Sequence, residues 1–202
     1  IAIKNDNVDF DIKSSIKDIN LKQEFQYFIN TRNKLKFGIN AINHGIIPGQ
    51  IDASLGSGIN SLKLTTNKSI EAAVFITNDW TITEKFTMSY GLRLSSFTML
   101  GNNQNVYSYS TNGDVSDTNV YKNNSFVTTY PILEPRVSMS YVYSKTASFK
   151  AAYARNAQYI HLVSNTTTSS PTDLWIPSSI NTKPEIADQV SVGWFKNLKE
   201  NS

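Results

Sequence analysis

The chain of 202 residues has no cysteine. Disulfides, thiolate metal sites and cysteine nucleophiles are therefore excluded, while the compartment stays open. Charge is scarce as well: Asp, Glu, Lys and Arg make up 17% of the chain, against ~25% in typical soluble domains. Asn, Ser and Thr fill the gap, so polarity rests mostly on uncharged groups. The net charge of +3 is scattered, and no Lys/Arg-rich run interleaves with aromatics as a nucleic-acid groove requires. No nucleic-acid partner is expected. No stretch approaches the ~18 apolar residues of a membrane helix, so this chain can cross a bilayer only with strands. No secretory leader is visible and the chain opens on Ile1 rather than on methionine, which reads as a processed or excised piece.

What is present is alternation. In KFTMSYGLRLSSFTML (85–100), Phe86, Met88, Tyr90, Leu92 and Leu94 share one parity, and Thr87, Ser89, Gly91, Arg93 and Ser95 the other. That is a strand with one oily and one wet face. The pattern returns at Ile19–Ile29, broken only by Gln23, and at Leu35–Ala41, Val137–Tyr143, Phe149–Tyr153 and Val190–Trp194. Between Ile70 and Ile82 the oily parity is Ala72, Val74, Ile76 and Trp80, with Phe75 out of phase. Seven strands result, all antiparallel in an up-and-down order, and no segment sustains a helical period. Ile1–Ile16 lacks clean alternation, so a closing first strand is not expected there.

The connections are sorted by length. Asn30–Lys34, Thr83–Lys85 and Ser144–Ala147 are short. His44–Ser69, Gly101–Tyr130 and Ser164–Pro184 (about 44–69, 101–130 and 164–184) are long and polar. Short and long alternate strictly, which puts tight turns at one end of an up-and-down sheet and long loops at the other. Outer-membrane barrels have this form, with short periplasmic turns, long extracellular loops and apolar-out, polar-in strands. Tyr27, Trp80, Phe86, Tyr143 and Phe149 lie near the short turns, and Trp194 near the C-terminal end, all on the oily parity, as a girdle of amphipathic rings would. Lys22, Glu24, Gln26, Lys36, Asn40, Arg93, Arg136, Ser138, Ser140 and Lys150 would point inward, and so many polar groups need a wet interior. The expected fold is all-β: residues 1–202 form a single fragment of a transmembrane barrel domain, an arc of a larger barrel in contact with outer-membrane lipid. The competing fold is a soluble β-sandwich, a binding or adhesin module whose oily parity is buried under a second sheet.

Chemistry-bearing constellations are few. The two histidines lack the three or four convergent ligands of a metal centre, and His44 reads as a strand-to-loop junction residue. No GxSxG elbow orients a serine beside a base. No enzyme activity, metal or cofactor is expected. Glu134 and Arg136 share a face and read as a structural pair. The best recognition candidate is Arg155–Trp175, carrying Arg155, Tyr159, His161, Asp173 and Trp175 at or beyond a strand's outer end. Arginine and aromatic groups suit a small-molecule or glycan ligand. Pro171 and Pro177 equally suit a loop that these residues brace in one shape.

Three blocks extend the reading: LKFGINAINHGIIPG (35–49), FITNDWTITEKFTMSYGLRLSSF (75–97) and 133–198, which contains LEPRVSMSYVYSKTASFKAAYARNAQYIHLVSN, SPTDLWIPSS and KPEIADQVSVGWFKNL. They resemble the barrel of TonB-dependent outer-membrane receptors of the Bacteroidetes type, over about half the chain. The "strand, NDW, turn, strand, GLR" pattern is broad; the LEPR block with the TDLWIPSS loop is narrower. The resemblance implies a 22-stranded barrel around an N-terminal plug, absent from this segment. It implies active uptake of a scarce nutrient (an iron chelate, cobalamin or a glycan) driven by the inner-membrane TonB complex. It implies location in the bacterial outer membrane. The partners implied are the protein's own plug domain, the TonB complex and, in glycan-uptake systems, a surface lipoprotein.

Overall fold

Every oily-and-wet stretch becomes a strand in the computed structural model, which describes residues 2–5, 8–53, 60–163 and 174–197. In chain order the strands are β1 (Ala2–Asn5), β2 (Val8–Asn30), β3 (Asn33–Ala53), β4 (Leu62–Lys63), β5 (Asn67–Thr81), β6 (Phe86–Leu100) and β7 (Asn105–Tyr109). There follow β8 (Val115–Val120), β9 (Phe126–Ser144), β10 (Ala147–Gln158), β11 (Ile160–Val163), β12 (Leu174–Pro177) and β13 (Glu185–Lys196). One antiparallel sheet runs β1-β2-β3-β5-β6-β9-β10-β13, with β4 on the end of β3; β7–β8 and β11–β12 are separate hairpins. Among the described residues there is no helix, and β13, paired with β10 alone, is an edge of the sheet.

The strands outrun the sequence pattern. β2 has 23 residues and β3 has 21, where a tilted strand needs about 9–11 to cross a bilayer. Three expected boundaries move accordingly. β3 continues to Ala53 and β5 starts at Asn67, so much of 44–69 is strand. The 101–130 connection holds the β7–β8 hairpin and the start of β9. The stretch before Ile16, lacking alternation, is paired through β1 and β2. Beyond the bilayer no lipid imposes a period of two, so backbone pairing can continue with no oily parity to mark it.

Register fixes the tilt. Asn33, Trp80, Met88, Met139 and Ala151 form one row across β3, β5, β6, β9 and β10. Beyond that row, towards the short turns, β3 has no further residue, β5 has Thr81, β6 has two, β9 has five and β10 has four. The turn end thus drops by about one residue per strand, ~3.3 Å along for ~4.8 Å across, a tilt of about 35°. Strands staggered this way suit a closed barrel rather than a flat sandwich layer.

The oily parity is uncovered. Leu92, Met139 and Tyr141 are 43%, 40% and 48% exposed, Met88 is half-buried, and Ile19, Leu21, Val74, Val190 and Val192 are exposed too. No second layer packs on this face among the described residues, which removes the sandwich alternative. Phe86, Tyr141, Phe149 and Trp194 are successive cross-strand partners near the short turns, and Trp194 donates its indole N–H to the Tyr143 hydroxyl at 2.8 Å. The opposite, polar face is concave: one cavity of about 930 Å³ reaches from Phe28 on β2 past Asp79, Ser138 and Lys150 to Phe195 on β13. Phe75, out of phase in the sequence, belongs to this polar face opposite Gly38, where its ring lies 2.8 Å from the position a Cβ would take. Glycine there makes room for the ring, the arrangement by which aromatics cover strand glycines.

Candidate functional site

The polar face is organised by a ladder of side chains that crosses the sheet from β2 to β13. Asp18 accepts a hydrogen bond from His44 Nδ1–H at 2.8 Å. His44 Nε2 stands 3.9 Å from Glu71, and Glu71 pairs with Arg93 at 3.3 Å. Arg93 reaches Glu134 at 3.3 Å through Nε, and Arg136 reaches the other Glu134 oxygen at 3.3 Å. Arg136 also donates to Asn156 at 2.9 Å, and Asn156 to Gln189 at 3.4 Å. Each strand supplies a rung because these positions share the inward parity and neighbouring strands hold them in register. Arg93 is held on two sides, by Glu71 and Glu134, whereas the buried His44 Nε2 has no hydrogen-bond partner. Glu134 is the hub, only 4% exposed, and also accepts a 2.6 Å hydrogen bond from Ser95. A second, smaller cluster near the short turns joins Lys34 and Lys36 to Asp79, which accepts from Ser89.

A surface loop covers part of the ladder. Tyr159, between β10 and β11, stacks its ring on Phe97 with centroids 5.1 Å apart and shares a 2.7 Å hydrogen bond with Ser95. Burial raises the Tyr159 phenol above its ordinary pKa, with the carboxylates of Glu134 and Glu71 acting in the same direction. The hydroxyl stays protonated and able to share that bond. The β11–β12 hairpin then crosses the polar face to pack against β3 and β5. Ser178 returns its N–H to the Tyr159 carbonyl at 2.7 Å, and Tyr130 on β9 donates to the Ser179 carbonyl at 2.7 Å. Asn181 ties this loop to the β7–β8 hairpin by donating to the Tyr107 carbonyl at 2.8 Å. The concave face is therefore roofed on its long-loop side by the chain itself.

The structure separates the residues singled out from sequence. Tyr159, His161 and Trp175 all belong to the infolded segment. His161 bonds Ser178 at 3.0 Å and Trp175 pairs with Leu162 across the hairpin. Arg155 lies elsewhere: it is within β10 on the outward parity, held in a two-point pair with Asp188 at 2.8 and 2.9 Å, beside Tyr153. Asp173 lies outside the described residues. His44 is inside β3 and 4% exposed, not at a strand-to-loop junction. The Glu134–Arg136 pair is present, as one rung of a ladder whose other members the sequence reading left apart. Among the described residues no three metal-binding side chains converge.

Loss of the Tyr159 hydroxyl isolates one anchor of the roof. In Tyr159→Phe the stack on Phe97 remains and Ser95 keeps Glu134 and the Ile132 carbonyl, a net loss of about 1 kcal/mol. Faster protease nicking within 160–177, with the barrel itself intact, is the expected readout.

One antiparallel sheet with tight turns at one end, an uncovered apolar belt outside and a charged concave face inside defines the wall of a transmembrane β-barrel. The comparison with protein families agrees: the model described as an outer membrane beta barrel domain matches residues 46–195. The chain belongs to that family, and the bacterial outer membrane is its location. No curated protein and no solved structure matches it.

Proposed function

We propose that this chain forms wall, lumen surface and extracellular loops of a TonB-dependent receptor for active uptake of a scarce nutrient, an iron chelate, cobalamin or a glycan. The observation that carries this reading is the roofed, charge-laddered lumen face. A passive pore needs an open polar channel, whereas here the chain's own β11–β12 hairpin is anchored across the interior through Tyr159. An interior obstructed from outside suits a receptor that binds first and admits cargo only when energised. The resemblance of 35–49, 75–97 and 133–198 to such receptors supports the same reading. Partners would be the protein's own plug domain within the concave face, the TonB complex through that plug, the nutrient ligand and, for a glycan, a surface lipoprotein. This segment's own part is non-enzymatic: it supplies wall, lumen surface and loops while ligand binding shifts the plug.

The test uses the full-length protein in its host. Uptake of labelled ferric chelates, cobalamin and oligosaccharides is compared in wild type, in a strain lacking this protein and in one lacking TonB. Loss of the same substrate in both deletions is expected. Uptake that persists without TonB, or a concentration-proportional leak through the reconstituted protein, contradicts the proposal.

A further inference from the structure

We propose that the outward face at the long-loop end of β2, β3 and β5 holds a binding site for the phosphate-bearing headgroup of an outer-leaflet glycolipid. Lys17, Gly45 and Lys68 are direct cross-strand partners in one row. All three share the parity of the oily belt, since the register of β2 with β3 is unbroken from Ser15 to Phe28 and that of β3 with β5 throughout. The two lysines are thus two strand spacings apart, about 10 Å, with a side-chain-free position between them.

A groove of about 540 Å³ opens here, lined by Lys17, Asn43, Lys68, Ile19, Ile70 and Phe126 among others, and no carboxylate lines it. Lys17 has no acidic or hydrogen-bonding partner among the described residues. Lys68 donates only to the neutral Asn123 side chain, at 3.2 Å. The contrast lies on the far side of the arc, where the outward Arg155 is already neutralised by Asp188. Cations therefore remain uncompensated at β2–β5 and not at β10.

Position selects the ligand class. Ile19 and Ile70 stand two residues from the lysines along their own strands, where the apolar belt begins. A lysine at that boundary lays its stem on the oily surface and lifts its ammonium to the headgroup level. An amphiphile with an anionic head and acyl tails matches both halves of the groove, and a free anion matches only the upper half. The site rests on the barrel family and stands independently of the transport reading.

The test uses the full-length protein in phosphatidylcholine nanodiscs doped with lipid A, with bound lipid measured by native mass spectrometry. Heat-shifted electrophoretic mobility verifies that each variant is folded. Wild type is expected to retain lipid A, and Lys17→Gln with Lys68→Gln to retain it about thirtyfold less, the scale of two lysines at a charged membrane surface. Gly45→Phe is the independent arm. A Cβ at Gly45 would touch only the Lys17 carbonyl, at 3.7 Å, so the ring fills the groove, keeps both charges and is expected to block retention. Lys145→Gln in a short turn should behave as wild type. Equal retention by wild type and the double variant, unimpeded retention by Gly45→Phe, or displacement of lipid A by inorganic phosphate overturns the proposal.

Discussion

Leu92→Arg is expected to destabilise the folded barrel by about 2–4 kcal/mol, the cost of an arginine near the bilayer midplane on a lipid-facing strand. Leu92 sits in the middle of the β6 belt, between Met88 and Leu94, and is 43% exposed with no protein layer over it. In a soluble protein an arginine at so exposed a position would cost almost nothing. The size of the effect therefore reports the surrounding medium, not loss of protein packing. Ala152→Arg provides the comparison: Ala152 has the opposite parity on β10 and lines the concave cavity, where an arginine keeps its water. Its expected cost is below about 1 kcal/mol. Urea unfolding of the full-length protein refolded into phosphatidylcholine vesicles measures both.

Glu134→Leu is expected to have a comparable effect for the opposite reason, about 3 kcal/mol. Among the described residues, Glu134 is the one buried carboxylate, and three donors share it: Arg93, Arg136 and Ser95. Removing it leaves Arg93 facing an apolar side chain while still held by Glu71, and frees Arg136, which is half in solvent and should lose little. Most of the cost thus falls on Arg93. A double variant, Glu134→Leu with Arg93→Met, should recover at least about 1 kcal/mol relative to the sum of the singles, because it removes the stranded charge along with its partner. Strict additivity would mean that the ladder is a set of independent surface contacts.

The barrel wall was legible because lipid imposes a period of two. Residues 86–94, 137–143 and 190–194 must turn an apolar side chain outward at each second position, and that constraint is written in the chain. Where it lapses, the reading lapsed too. Residues 13–17 and 43–53 stand beyond the belt, where no lipid imposes a period of two, so pairing there leaves no alternating signature even though Ile46 is fully buried on the inner face. The ladder was half legible. Arg93 and Arg136 were recognisable as inward from parity alone, but their partners depend on register. Glu71 could have been set near Arg93 by counting back through the tight turn at 82–85. Glu134 could not have been set opposite Arg93, because the connection between β6 and β9 fixes no register from length alone. Arg155 shows the converse limit. Its place beside aromatics suggested recognition, and only cross-strand pairing reveals Asp188 as its partner on the outward face.

Because the chain has no cysteine, one introduced cysteine is a unique label in this segment. Nitroxide labels placed singly at 88 to 94 along β6, in reconstituted full-length protein, give the most direct test by electron paramagnetic resonance. Membrane-dissolved oxygen should reach labels at 88, 90, 92 and 94, and a water-soluble nickel chelate should reach 89, 91 and 93 in strict alternation. Oxygen accessibility that is low and equal at all seven positions would mean that the apolar parity meets protein rather than lipid.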